Sequence, residues 1–177
     1  MRIAFIVATG LLLSTVALAQ APTAEAQNEQ VVRRYLDAMN RGDAKAAAAA
    51  FAVDAKNFGR PIGRQGIEDA LVDIFTTFPD WHMEVVNIVA SGDDVIVRVK
   101  VTGTHRGVAK MPLNGMPVGA AATGKHFEVS HMHWNTLHGG QIVYHYANRD
   151  DLGMLRQLGL LSKAAAQRRI TSSRSGP

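Results

Sequence analysis

The chain has 177 residues, contains no Cys, and carries 19 Lys and Arg against 15 Asp and Glu. This length suits one domain, and so small an excess of positive charge does not indicate a nucleic-acid-binding protein. The absence of Cys excludes disulfide bonds and thiolate chemistry, so the fold must be stabilised by packing. The absence of Cys fits an acid/base site built from carboxylates and imidazoles, and the seven His all lie between His82 and His145.

The first 19 residues have the three parts of a secretory signal peptide. Arg2 is their only charged residue, residues 3–13 form an apolar run, and Ala17-Leu18-Ala19 is a cleavage site of the small-x-small type. The apolar run is short and has no stop-transfer flank, which argues against a stable membrane anchor. We therefore predict that residues 1–19 are removed and that the mature protein is periplasmic or secreted.

Helical periodicity marks the first part of the mature chain. Apolar residues recur at helical spacing over residues 25–41, and Asp43 is placed to cap a short Ala-rich helix that ends near Phe51. A Gly-rich loop is predicted over residues 57–66. A further apolar pattern then predicts a third helix, which Pro79 ends.

From Trp81 onward the apolar period changes to that of a strand. Valines at the odd positions from 95 to 101 alternate with Arg98 and Lys100, so one face of that strand is buried and the other is solvated. A last helix is predicted to begin near Asp151. The predicted strands cover residues 83–90, 95–105, 125–137 and 141–149.

This order of elements predicts one α+β domain over residues 24–162, with N-terminal helices packed on a curved antiparallel sheet. The loop over residues 106–123 is longer than a hairpin needs, so we expect it to flank a functional region. Residues 163–177 end in Ser, Gly and Pro and are predicted to form a disordered basic tail. No aromatic residue is interleaved with the charges of this tail, so no nucleic-acid partner is predicted.

A candidate site follows from the last hairpin. If Gly139-Gly140 is a two-residue turn, counting outward in register places, for example, His133 opposite Tyr146. Side chains two apart share a face of the sheet. This register brings six side chains to one face: Val129, His131, His133, Tyr146, Asn148 and Asp150. A slip of one residue would exchange the faces of one strand and separate the cluster.

These residue types indicate acid/base chemistry on a carbonyl compound. Asp150 is the candidate general base, provided that an apolar surround raises its pKa. His131 and His133 can donate hydrogen bonds to a developing enolate oxygen, and His105 is predicted to join them because it continues the odd-numbered valines. The candidate substrate-binding residues are Tyr146, Asn148, Tyr35, Asn57 and Trp81. Core packing for Tyr35 and Trp81, and a turn or capping role for Asn57, are the alternatives.

Two further alternatives stay open. Asp150 and Asp151 both precede the last helix, where a carboxylate commonly caps, and we predict Asp151 as the cap and Asp150 as the site residue. His131-x-His133 also has the spacing of a metal pair, which would suit a metal hydrolase. The spacing shows no third ligand, although His105 or Asp150 would be a candidate, and no metal site is predicted.

Five segments of the sequence carry a family resemblance: Phe78-Pro79-Asp80, Gly92-Asp93 before the alternating strand, Gly103-Thr104-His105-Arg106-Gly107, Thr123-Gly124-Lys125, and Asp150 with Leu152-Gly153-Met154-Leu155-Arg156-Gln157-Leu158-Gly159. They resemble the SnoaL-like polyketide cyclase, or ester cyclase, family. The resemblance extends over about residues 30–161, and the Gly-Thr-His-x-Gly element together with the closing Leu-Gly-rich helix is its most specific part.

The resemblance implies a cone-shaped α+β barrel with an internal pocket, usually dimeric through its sheet. It also implies an intramolecular aldol ring closure that needs no metal or organic cofactor, with the acid before the last helix as general acid/base. Asp150 matches that acid. The function predicted from the sequence is an exported, cofactor-independent cyclase, isomerase or lyase acting on a small apolar carbonyl compound. The alternative is a periplasmic module of the same fold that binds a small ligand without converting it.

Overall fold

The computed structural model describes residues 21–111, 115 and 118–161. The predicted signal peptide, residues 1–19, and the predicted disordered tail, residues 163–177, lie outside the described residues. Within the described ranges, each helix is too short or too polar to cross a membrane.

The described residues form four helices, each close to a position where the sequence predicts one. The side chains of Thr23 and Asp43 accept hydrogen bonds from backbone N–H groups in the first turns of the first two helices. The third helix ends just before Phe78, and Pro79 follows it. The helices are α1 (Ala24–Asn40), α2 (Ala44–Ala48), α3 (Gly63–Thr77) and α4 (Asp151–Leu158).

Six strands form one sheet in the order β2-β1-β6-β5-β4-β3. The pair β1 and β6 is parallel and the other pairs are antiparallel. Because β2 and β3 are unpaired on their outer sides, the sheet is not closed. The strands are β1 (Phe51–Asn57), β2 (Arg60–Pro61), β3 (His82–Ser91), β4 (Asp94–Thr104), β5 (His126–His138) and β6 (Gln141–Arg149).

The helices pack on a mostly antiparallel sheet, as predicted, but the sequence pattern reveals neither β1 and β2 nor the parallel pairing of β1 with β6. The sequence predicts a helix that ends near Phe51 and a loop over residues 57–66 in place of these two strands. β1 has an irregular burial pattern and pairs with β6 through a register shift between Phe51 and Lys56. Tertiary pairing rather than local periodicity therefore makes this segment a strand.

The core lies between the helices and the inner face of the sheet. Val95, Val97, Val99 and Val101 of β4 are fully buried there, as their alternation predicts. Arg98, between them, is exposed on the outer face. The alternation of buried and exposed residues along β4 thus determines which face of the neighbouring β5 is buried in the core.

The predicted register of the last hairpin is wrong by one residue beyond its turn. His138 pairs with Gln141 as predicted, but the pairing shifts between Thr136 and Leu137, and His133 lies opposite Ala147 rather than Tyr146. The extra residue on β6 is a β-bulge, which exchanges the faces of the rest of that strand. The side chains that consequently turn inward are His145, Ala147 and Arg149.

Candidate active site

The inner face of the sheet and the helices that cover it enclose a pocket with a volume of about 70 Å³. A space of this size holds several water molecules or part of a small organic molecule. Its wall is mostly apolar, with side chains such as Phe51, Leu71 and Met154. The polar side chains that reach it are Tyr35, Asn57, Trp81, His131, His133, His145, Arg149 and Asp151.

Three of these side chains form a hydrogen-bonded chain. Nδ1 of His133 lies 2.9 Å from Nε2 of His145. Nδ1 of His145 lies in turn 2.8 Å from Oδ1 of Asn57. All three residues are buried, with 6% to 8% of each exposed. The chain holds both imidazole rings in fixed orientations against the pocket.

Four polar atoms around the pocket have no hydrogen-bond partner among the described residues. They belong to three side chains that lie next to one another. The ring centroids of Trp81 and His131 are 6.3 Å apart, and those of His131 and His133 are 5.6 Å apart. Leaving a buried polar group without a partner costs about 1–3 kcal/mol. The four atoms are Trp81 Nε1, His131 Nδ1, His131 Nε2 and His133 Nε2.

The three pocket histidines are neutral at physiological pH. Burial and the positive charge of Arg149 lower the pKa of His131 to about 4, although the negative charge of Asp150 acts in the opposite direction. Burial and Arg149 also lower the pKa of His145 to about 4. For His133, burial and the neighbouring imidazoles hold the pKa well below its usual range. Each ring therefore offers one N–H donor and one lone pair.

An ion pair forms part of the pocket wall next to these rings. Nη2 of Arg149 lies 3.1 Å from Oδ2 of Asp151, and its guanidinium carbon lies 5.2 Å from the centre of the Phe58 ring. The two charges compensate each other, so with neutral histidines the pocket has no net charge. This balance favours a neutral ligand over an ionised one.

Asp150 does not line the pocket, and the prediction that it faces the cavity is wrong. Its carboxylate is the N-cap of α4, where Oδ1 accepts a hydrogen bond from Gly153 N at 2.7 Å, and the residue is exposed. The neighbouring Asp151, predicted as the cap, is the acid in the pocket wall. The backbone turns into α4 at this point, so only the residue before the first helical position can cap it.

The β6 bulge moves two more predicted residues out of the site. Tyr146 is 44% exposed and Asn148 is also exposed, and both lie on the outer face of the sheet. By contrast, Tyr35, Asn57, Trp81, His131 and His133 do line the pocket. Their roles in binding or catalysis remain predictions. Counting from the turn missed His145 and Arg149, because the sequence does not show the bulge.

His105 is buried but lies outside the pocket, so its predicted place in the site is wrong. Its ring packs on Phe78, which separates it from Trp81 of the pocket wall. Its Nδ1 accepts a hydrogen bond from Thr123 N at 3.3 Å. The backbone N–H groups of Arg106 and Gly107 donate to Thr77 O. His105 therefore joins the two ends of the long loop, and the two residues that follow it fix the loop to the end of α3.

Other residues of the Gly-Thr-His-x-Gly element also have structural roles. Asp80 accepts hydrogen bonds from the backbone and the hydroxyl of Thr104, at 2.7 and 2.6 Å. A Cβ at Gly103 would press on the ring of Phe127 and the Cβ of Phe78. The element and the Phe78-Pro79-Asp80 segment thus stabilise the junction of α3, β4 and the loop.

The long loop lies beside the pocket at one described point. Gly115, with a φ of +72°, lies so near Asp151 that a Cβ on it would be 2.5 Å from the carboxylate carbon. Farther back, the buried carboxylate of Asp73 on α3 accepts hydrogen bonds from Lys110 N and Met111 N. The position of Gly115 next to Asp151 in the pocket wall is consistent with the expectation that this loop flanks a functional region.

The structure does not place either candidate third ligand, Asp150 or His105, beside His131 and His133. Asp150 points into its cap and His105 lies behind Phe78. Within the part of the chain that the structure describes, no three side chains of the ligating types are arranged to hold a metal ion.

Comparison with solved structures shows the same fold in several proteins. TsrD from Streptomyces laurentii is 24% identical, with a TM-score of 0.66 over 79% of this chain and 100% of that one. IdmH from Streptomyces antibioticus is 28% identical, with a TM-score of 0.61 over 75% of this chain and 99% of that one. A SnoaL-like polyketide cyclase from Agrobacterium tumefaciens is 22% identical, with a TM-score of 0.61, covering 75% and 98% of the two chains. No curated protein matches the sequence significantly.

A comparison of the sequence with protein-family models gives a result that is consistent with this fold. The family model of the SnoaL-like polyketide cyclases matches residues 29–158. That range begins in α1, ends at the last residue of α4, and includes every strand of the sheet and the polar residues of the pocket. The chain therefore belongs to the SnoaL-like polyketide cyclase family.

Proposed function

We propose that the protein is a cofactor-independent cyclase or isomerase that enolises a small, neutral carbonyl compound. Membership of the family supports the cyclase or isomerase kind of function. The observation that carries the proposal is the set of unpartnered nitrogens of Trp81, His131 and His133 in a mostly apolar pocket. A ligand with an acidic hydrogen and a nearby oxygen would satisfy them.

In the proposed reaction His133 is the general base. Its Nε2 takes a proton from the carbon next to a carbonyl, and the C–H electron pair moves to form an enolate. The N–H groups of Trp81 and His131 donate hydrogen bonds to the enolate oxygen. The enolate carbon then attacks a second carbonyl of the same molecule, and protonated His133 returns its proton to the new alkoxide. In an isomerase, the proton returns to a different carbon.

The weak basicity of His133 limits the substrate class. Burial lowers the pKa of this imidazole, which keeps it neutral but also makes it a poorer proton acceptor. Such a base suits a carbon whose hydrogen is already acidic, as between two carbonyl groups, better than a simple ketone. We therefore propose a 1,3-dicarbonyl compound with a further carbonyl group within reach.

The test is ring closure of a neutral 1,3-dicarbonyl ester that carries a pendant ketone. The purified protein is expected to form the cyclic aldol product faster than buffer alone, equally with and without a chelator, as measured by liquid chromatography and mass spectrometry. Binding of the compound without conversion would support the ligand-binding module instead. If a panel of such compounds neither binds nor cyclises, the proposal is wrong.

A homodimer through the outer face of the sheet is part of the proposal. The strand registers align Val89, Ile96, Trp134 and Tyr146 in one row across β3, β4, β5 and β6. Trp134 is 47% exposed and Val89 is 54% exposed. A contiguous apolar row of this kind is typical of a protein contact surface.

Trp134→Lys is expected to convert the dimer into a monomer, because it places a charge in the middle of this row. Light scattering after size-exclusion chromatography measures the change. Val53→Lys is the matched control, since Val53 is 74% exposed on another part of the surface. A monomeric wild-type protein would contradict the proposal.

A further inference from the structure

We propose that Asn57 is a positioning residue that determines which nitrogen of His133 carries the proton, so that His133 presents a lone pair to the pocket. The inference rests on the proposed function for its catalytic meaning. Its structural part, the tautomeric state of two histidines, is measurable without any substrate.

The sheet places Asn57 next to His145. Asn57 is the last residue of β1, and in the parallel pairing of β1 with β6 its partner is His145. The backbone N–H of Phe58 donates to the carbonyl of His145 at 2.9 Å, which fixes the two strands together at this point. The amide of Asn57 is therefore a rigid contact of the ring, held on the far side from His133.

The direction of the hydrogen bonds follows from the amide oxygen. Oδ1 of Asn57 only accepts, so the proton of His145 is on Nδ1. In a neutral imidazole the other nitrogen, Nε2, is then an acceptor, and His133 donates to it from Nδ1. The remaining nitrogen of His133, Nε2, therefore has a lone pair and no proton. Both rings are in the Nδ1–H form, although free imidazole side chains favour Nε2–H in water.

The chain also retains the proton that His133 receives. When Nε2 takes a proton, the imidazolium still donates from Nδ1 to His145, and His145 still donates to Asn57. An amide oxygen does not accept a proton at physiological pH, so the chain ends there. The proton stays on the His133 and His145 pair and is returned to the product, as a cyclisation or isomerisation without net proton release requires.

The first measurement is the tautomer of each ring in the intact wild-type protein, read from nitrogen-15 chemical shifts in long-range proton–nitrogen spectra. Signals are assigned with His133→Gln and His145→Gln. The expected result is the Nδ1–H form for both residues. An Nε2–H form of His133 would overturn the inference, whether or not a substrate is known.

Two variants test the role of Asn57 itself. Asn57→Leu removes the acceptor, so His145 and His133 are expected to change to Nε2–H, with kcat about 10²-fold lower and KM little changed. Asn57→Asp keeps an oxygen acceptor and is expected to retain the Nδ1–H forms and most of the activity. Asn148→Leu, on the exposed outer face, is the control and should leave the spectra unchanged.

The outcomes separate this inference from the proposed function. Nδ1–H signals that survive in Asn57→Leu would show that Asn57 does not set the tautomer. Signals that change as expected, in a protein that cyclises no 1,3-dicarbonyl compound, would contradict the proposed function and leave the structural role of Asn57 supported. If Asn57→Leu does not fold, the wild-type spectrum and Asn57→Asp decide the matter.

Discussion

Replacing His133 with Gln is expected to lower kcat for the cyclisation by about 10²–10⁴-fold, the usual contribution of a general base. Nε2 of His133 faces the pocket without a partner, while its Nδ1 is engaged by His145. Gln retains an N–H donor for His145 but has no basic nitrogen. The fold should therefore persist, and substrate affinity should change little. Steady-state kinetics and thermal unfolding measure the two effects.

The matched control for this prediction is Asp150→Asn. Family resemblance assigns the acid/base role to Asp150, whereas in the structure its carboxylate accepts a hydrogen bond from the backbone N–H of Gly153 in the first turn of α4. Asn caps a helix about as well as Asp, so both stability and turnover are expected to be retained. Loss of activity in Asp150→Asn with activity kept in His133→Gln would restore Asp150 as the catalytic acid.

The order of elements was predictable from the sequence because its apolar periods are clear. Helical spacing marks α1 and α3, and the alternating valines of β4 determine the buried face of the sheet. The pocket histidines on β5 follow from that alternation, since His131 and His133 occupy the same face as the buried residues on either side of them. Regular strands thus allowed half of the site to be located.

The other half depends on a bulge that the sequence does not show. Ile142, Val143 and Tyr144 are three successive apolar residues, so no polar position indicates which of them is the extra one. The bulge turns His145 and Arg149 into the pocket and removes Tyr146 from it. Similarly, two adjacent aspartates are equivalent in sequence, and only the path of the backbone into α4 shows that Asp150 caps.

The contact of Asn57 with His145 was unpredictable for a different reason. It joins residues 88 positions apart through a parallel strand pair. A local pattern carries no information about such a pairing, and the Ala-rich segment before it has no strand periodicity. The site therefore combines His131 and His133, which alternation locates, with His145 and Arg149, which only the tertiary fold brings in.

Replacing His131 with Leu is expected to raise the free energy of unfolding at pH 7.5 by about 1–3 kcal/mol while it slows turnover. Both ring nitrogens of His131 are buried without a partner, and an apolar side chain of similar size removes that cost. The same change removes a donor to the enolate oxygen, a loss of about 10²–10³-fold in kcat. A residue that destabilises the fold and accelerates the reaction is expected at a functional site.

The same variant tests the pH dependence of stability. His131 titrates near 6.5 when unfolded and near 4 when folded, so the unfolded chain binds more protons between these values. This titration leaves the free energy of unfolding unchanged above pH 6.5. It lowers that free energy by about 3 kcal/mol as the pH falls toward 4.

Urea unfolding from pH 7.5 to 4 should therefore show a shallower decline in His131→Leu than in the wild type. In the matched control His82→Leu, which changes an exposed histidine at the start of β3, the decline should stay as steep as in the wild type. Equal slopes in wild type and His131→Leu would mean that His131 is not held neutral in the folded pocket. His131 would then not be the neutral donor that the proposed reaction requires.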